Sequence, residues 1–307
     1  MPGLNLAAHP AAFTLVVSLT GSDTAHLAFG RFDYSYDGKV ALAVMEHVAI
    51  GTSCARHMIM LISKMPWDFW LIFAFIGVVI PWRGRARLRH LLALPSVSTK
   101  EKIVLYAATI GFQWVLAMVV AWRAVARGMT AKELGLSQIN LLEIVLPGLV
   151  GSVVLGGLHW LNLRRIGKME GPAPELMKSI AARVLPNNLI EFLPYCALAI
   201  TAGVCEEFIY RGFAMAALGR AGLPIWLVVL LTAVLFGLAH SYQGKSGVAG
   251  TTLMGIVFGG FRVLTGSLVP VTLWHATVDV VAGIAGRKYL LHAADCRQVA
   301  PNQEITG

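Results

Sequence analysis

Apolar and polar residues along this 307-residue chain change over on the scale of a membrane crossing, not with the period of an amphipathic helix or a strand. Seven predominantly apolar runs follow one another at 67–82, 103–122, 141–161, 189–204, 224–239, 248–264 and 268–285. Most have about the length needed to cross a hydrocarbon core of roughly 30 Å as a helix, and the first, of about sixteen residues, is slightly short. The pattern predicts an all-α, polytopic transmembrane helix bundle of about seven spans, within a range of six to eight.

The first 64 residues do not fit this pattern. Ala11 to Leu19 is apolar but too short to span, and no Lys or Arg precedes it, as a signal peptide would require. Val40 to Ile62 is long enough, yet it carries Glu46, His47, Arg56 and His57. Residues 1–64 are expected to form a poorly structured extension, and Met65, where the membrane pattern begins, reads as a natural start. Residues 65–188 then read as a transmembrane scaffold, 189–286 as a catalytic membrane core and 287–307 as a tail.

Composition supports the membrane class. Hydrophobic residues make up 57% of the chain and charged residues 13%, where soluble domains carry about 25%. Mean hydropathy is +0.69. The net charge of +9 sits in the connections: Arg83, Arg85, Arg87, Arg89, Lys100 and Lys102 in one, and Arg164, Arg165, Lys168, Lys178 and Arg183 in another. The positive-inside bias places both loops and the tail in the cytoplasm, and a charge so distributed argues against a nucleic-acid partner. Cys54, Cys196, Cys205 and Cys296 form no CxxC pair, hence neither a disulfide framework nor a thiolate zinc site. Cys205 reads as a small buried hydrophobe.

Against this background the stretch Cys205-Glu206-Glu207-Phe208-Ile209-Tyr210-Arg211 stands out. Ionisable groups in apolar surroundings are costly and need partners. On a helix Glu207 and Arg211 are four apart, acid first, which is the favourable order for an ion pair. Glu206 then lies about 100° round the helix and is free for chemistry. Later runs supply two histidines. His240 follows Phe236 by one turn, and His275 precedes Asp279 by one turn, so that the carboxylate can reach an imidazole nitrogen or a water beside it. Glu206 is expected to face both histidines.

Glu206, His240 and His275 with one open position would suit a catalytic divalent metal, zinc above all, and an activated water. They equally suit a metal-free reaction with Glu206 as general base and the histidines holding an oxyanion. HExxH and GxSxG are absent, and Ser241 is a weak nucleophile candidate.

Glu206-Glu207-x-x-x-Arg211, Phe236-x-x-x-His240 and His275-x-x-x-Asp279, in this order on successive segments, resemble the motifs of the CAAX-processing and bacteriocin-processing (CPBP, or Abi) intramembrane proteases. Thr265-Gly266-Ser267-Leu268 is similar to the family's connector. The resemblance covers Leu189 to Arg287. It implies a membrane-embedded endopeptidase, a metalloprotease or a glutamate-type enzyme, in which Glu206 activates water. Glu207 and Arg211 would support it, His240 and His275 would complete the site, and Asp279 would position water or the oxyanion. It also implies a bacterial inner-membrane setting, the lipid bilayer as partner and a membrane-associated peptide or protein as substrate, of CAAX or bacteriocin-precursor type.

Two competing classes carry other expectations. A transporter or ion-binding membrane protein would line a pathway with the same charges, and inverted repeats would favour it; none is evident. A non-catalytic scaffold would have lost a motif residue, yet all are present. One geometric difficulty stands: with seven straight spans, Glu206 falls near the outer end of its helix and His240 near the inner end of the next.

Overall fold

A computed structural model describes residues 65–136 and 141–291, together with the backbone of three short strands near the N-terminus. Cys54, Cys296, most of the extension upstream of Met65 and the tail from residue 292 lie outside the described residues. The chain divides into two units, 1–64 and 65–307.

In the first unit the described part is an antiparallel sheet in the order β1 (Val16–Leu19), β2 (Thr24–Phe29), β3 (Phe32–Asp37). Val16 pairs with Ala28, and Phe29 with Phe32. A poorly structured extension was expected here. Phe32-Asp33-Tyr34-Ser35-Tyr36-Asp37 alternates apolar and polar residues with the period of a strand, a local signal much shorter than a spanning run.

The second unit is an all-helical polytopic bundle, and the chain is an integral membrane protein. Eight helices are described: α1 (Trp67–Ala93), α2 (Thr99–Ala126), α3 (Leu146–Lys168), α4 (Pro172–Val184), α5 (Leu189–Arg220), α6 (Ile225–Ala239), α7 (Gly244–Thr265) and α8 (Val269–Gly286). By length and composition, six helices can cross a membrane: α1, α2, α3, α5, α7 with the short turn before it, and α8 with the turn after it. α6 has 15 residues and is shorter.

Several boundaries differ from the apolar runs. The basic residues Arg83 to Arg89 continue α1 as helix instead of forming a loop, because Ala, Leu and Arg are good helix formers and the single Gly84 does not outweigh them before Pro95. The α1 carbonyls at its C-terminal end are capped from α4: Arg183 donates to Leu91 O, Leu92 O and Leu94 O at 2.8, 3.4 and 3.0 Å. The second basic connection likewise contains a helix, α4, begun by Pro172. α2 starts at a capping box in which the Ser98 hydroxyl accepts from Glu101 N and Glu101 accepts from Ser98 N.

The largest difference is in α5, which runs 32 residues through the Glu206-Glu207 stretch to Arg220 instead of ending at Val204. A π-helical turn at Phe208–Ala214 lies within it, a form common at functional sites. This lengthening removes the difficulty of depth. Glu206 stands about four turns, ~21 Å, short of the end of α5, and the antiparallel α6 carries His240 back ~22 Å from its start. The two residues therefore meet at one level.

Small residues set the close helix contacts. A Cβ on Gly203 would lie 3.0 Å from Thr272 O and 3.1 Å from Ala276 N, so α5 and α8 touch almost backbone to backbone. The GxxxG pair does the packing work expected of it. Added Cβ atoms would lie 2.9 Å from Ala233 at Gly255 and 3.1 Å from Val229 at Gly259, both on α6.

Candidate active site

Gly203 and Glu207 share one face of α5, so the close approach at Gly203 aims Glu207 at α8. Glu207 and Arg211 are fully buried, and Arg211 Nη1 donates to Glu207 Oε1 at 2.9 Å, the pairing expected from their spacing. The same Oε1 accepts from His275 Nδ1 at 2.7 Å. His275 was expected to face Glu206. It goes to Glu207 instead, because both are directed across the α5–α8 contact while Glu206 points elsewhere. The other ring nitrogen, Nε2, lies 3.7 Å from Asp279 Oδ2, too far for a direct hydrogen bond but within reach through one water. Asp279 is held in turn through its backbone, whose carbonyl accepts from Tyr195 OH at 2.9 Å.

Glu206 turns towards α2 and α6. Gln113 Nε2 on α2 donates to Glu206 Oε1 at 2.7 Å. Glu206 Oε2 stands 3.9 Å from His240 Nε2. His240 Nδ1 bonds Phe236 O at 2.9 Å, which fixes the ring; as Nδ1–H it leaves Nε2 facing Glu206. Exposure separates the two acids: the Glu206 and His240 side chains are 20% and 16% exposed, whereas Glu207 is 0% exposed. One carboxylate is open to a reactant and the other is sealed.

Phe236 is the hub of this arrangement. The Arg211 guanidinium lies over its ring at 4.2 Å, the His240 ring is 4.6 Å away, and the His275 ring meets it edge-on at 5.7 Å. Gly255 makes room for Arg211, since a Cβ there would stand 3.2 Å from Nη2. An apolar cavity of about 480 Å³, lined by Trp114, Met118, Val204, Phe208 and Thr272 among others, lies between α2, α5 and α8. Cys205 is buried with a free thiol, in keeping with a packing role. Gln113 was missed by sequence reasoning. Its signal, an amide in the otherwise apolar run 103–122, is weak beside charged motifs.

The metal set Glu206, His240 and His275 is not drawn together. His275 spends Nδ1 on Glu207, and among the described residues no three His, Cys, Asp or Glu side chains are placed to hold an ion. As placed, these donors do not fit a resident zinc.

Residues 188–281 match the family described as Type II CAAX prenyl endopeptidase Rce1-like. The match falls on the segment that carries the three motifs and agrees with the resemblance to the CPBP proteases. No curated protein and no solved structure matches the chain.

Proposed function

We propose that this membrane protein, whose residues 188–281 match the Rce1-like CAAX endopeptidase family, hydrolyses a peptide bond of a membrane-associated substrate with water activated by Glu206. The observation that carries the reading is the pairing of Glu206 and His240. Both are partly exposed, both are oriented on their far sides by Gln113 and Phe236 O, and they face each other at 3.9 Å. That gap is too wide for a direct bond and suits two groups sharing one water at about 2.8 Å from each.

In the reaction, Glu206 Oε2 takes a proton from water while the water oxygen attacks the carbonyl carbon. The C=O electron pair moves to oxygen, giving a tetrahedral oxyanion. Collapse re-forms the carbonyl and breaks the C–N bond, and the proton held by Glu206 passes to the departing amine. Glu207 accepts from His275 Nδ1 and so sets the ring's direction. In its imidazolium form His275 offers Nε2–H to the oxyanion or to a water shared with Asp279. Arg211 balances the Glu207 charge inside the bundle. The apolar cavity beside Val204 and Phe208 suits an apolar part of a membrane substrate. We place the basic connections on the cytoplasmic side of a bacterial inner membrane, which puts the Arg83–Arg89 end of the bundle there.

The test is cleavage of membrane-anchored peptides by purified protein in detergent, wild type beside Glu206→Gln. Rate is expected to fall by about 10²–10⁴-fold in the variant with melting temperature unchanged, in line with loss of a general base. Wild-type activity is expected to survive dialysis against a zinc chelator. Undiminished cleavage by Glu206→Gln would remove the glutamate from the mechanism, and loss on chelation restored by zinc would make this a metalloprotease.

A further inference from the structure

Along α1, Val78, Trp82, Arg85 and Arg89 follow at spacings that put them on one face of the helix. Together they wall a cleft of about 680 Å³ between α1, α4 and the chain after α6. That volume lies within the roughly 300–1,000 Å³ typical of ligand pockets. The stripe is ~16 Å long, about one leaflet of a hydrocarbon core of roughly 30 Å. Its two halves differ. Val78 and Trp82 are 67% and 66% exposed, so this half borders the lipid around a spanning helix. Arg85 and Arg89 form the other half, towards the end of α1.

These two guanidiniums differ from their neighbours. Arg87 Nη1 donates to Thr109 Oγ1 at 3.3 Å and the Arg83 guanidinium lies 4.9 Å from the Phe112 ring, so that pair is engaged by α2. Arg85 and Arg89 are exposed, and among the described residues neither has a carboxylate partner. Arg85 Nε donates to Ser241 Oγ at 2.9 Å, which leaves its two Nη groups for a ligand. Like charges one turn apart repel, and an anion shared between them removes that cost. An apolar groove that opens to lipid and ends in two cations has the polarity of a phospholipid with an anionic headgroup. Basic pockets between spanning helices take such headgroups, and the planar fork of arginine fits phosphate bidentately.

We propose that this cleft binds one anionic phospholipid, with its phosphate on Arg85 and Arg89 and an acyl chain along Val78 and Trp82. The site stands apart from the hydrolytic reading above and does not depend on it. Its far wall is Leu238, Ser241 and Tyr242, the chain on either side of His240. The junction is close there, since a Cβ on Gly84 would lie 3.3 Å from Tyr242 Cδ1. A lipid seated on Arg85 therefore fastens α1, by way of Ser241, to the segment that carries His240.

The experiment titrates the full chain in neutral detergent with phosphatidylglycerol or phosphatidylcholine carrying brominated acyl chains, and reads the saturable quenching of tryptophan fluorescence. Phosphatidylglycerol is expected to bind about tenfold more tightly or better, as two basic groups at a lipid surface allow. In Arg85→Gln/Arg89→Gln the preference should shrink to within about twofold, and in Arg85→Lys/Arg89→Lys, which keeps both charges, part of it should return. Trp82→Phe should lower the saturable quenching without weakening the binding by more than about twofold. Arg164→Gln/Lys168→Gln, in an exposed basic pair on α3, should leave the preference intact. All of these side chains are on the surface, so the variants should fold. Equal binding of the two lipids would overturn the proposal. So would a preference lost as fully in the α3 variant as in the α1 variant, which would assign it to the general basic surface. Displacement of the lipid by an equal concentration of inorganic phosphate would make the ligand a free anion. Tighter binding of an apolar peptide carboxylate than of phosphatidylglycerol, through the same arginines, would give the cleft to a peptide.

Discussion

Helix α5 carries two buried ion pairs, and they are built differently. Near its start, Glu191 meets Lys102 of α2 at 3.2 Å, the side chains 2% and 0% exposed. Its Oε1 accepts from Thr99 Oγ1 and Asn188 Nδ2, its Oε2 also accepts from Asn187 N, and Lys102 Nζ donates to Leu185 O at 2.7 Å. Four turns on, Glu207 meets Arg211 at 2.9 Å with both side chains at 0%. Here Oε1 takes both bonds, while Glu207 Oε2, Arg211 Nε and Arg211 Nη2 have no hydrogen-bond partner among the described residues. A buried polar group left unpaired costs about 1–3 kcal/mol. The first pair is a saturated lock that joins two helices. The second leaves polar atoms unmatched beside an accessible glutamate, which is where strain and chemistry tend to coincide.

Substitution of each acid should separate these roles. Glu207→Gln is expected to destabilise the fold by about 3–5 kcal/mol, as removal of one partner from a buried pair does. It should also lower cleavage per folded molecule by at least about a hundredfold, because His275 loses the carboxylate charge that holds its imidazolium form and directs the ring. Glu191→Gln should cost similar stability and leave cleavage per folded molecule within about twofold. Thermal unfolding beside active-site-normalised rates distinguishes them; equal loss of activity in both variants would erase the distinction between lock and site.

A smaller effect is expected from Gln113→Leu. It removes a hydrogen bond to an ionised carboxylate, worth about 1.5–3 kcal/mol, hence a fall in kcat of roughly ten- to a hundredfold with KM little changed. A change confined to KM would mean that Gln113 contacts substrate and does not orient Glu206.

The smallest effect belongs to a charge pair at the end of α5. Arg220 Nε donates to Glu133 Oε1 at 2.6 Å, and this bond, with those from Thr130, holds the Glu133 carboxyl down at about 2 from an ordinary 4.5. Depression of a carboxyl in the folded state gives stability that is complete above the ordinary value and is lost as pH falls towards 2. Both side chains are over a third exposed, at 38% and 34%, so the contribution should stay below about 1 kcal/mol. The melting-temperature gap between wild type and Arg220→Ala is expected to hold down to about pH 4.5 and then close. A gap that persists at pH 2 would assign the effect to the bonds from Arg220 to Arg127 O and Gly128 O.

The sequence alone determined the membrane class, the helical bundle, the Glu207–Arg211 pair and the three motif segments. Each of these is written in local spacing: uncharged runs of spanning length, charges four apart on one helix, an aromatic one turn before a histidine. Tertiary structure decided which acid meets which histidine. Glu206 and Glu207 are neighbours in sequence but leave α5 about 100° apart, and only the packing of α2, α6 and α8 around that helix sends Glu206 to Gln113 and His240 and Glu207 to His275. The same packing brought His240 level with Glu206, because α5 continues beyond its apolar run and α6 is short. A run of hydropathy marks where lipid can lie against a helix. It does not mark where a helix ends inside a bundle, where neighbouring side chains satisfy the charges that lipid would exclude.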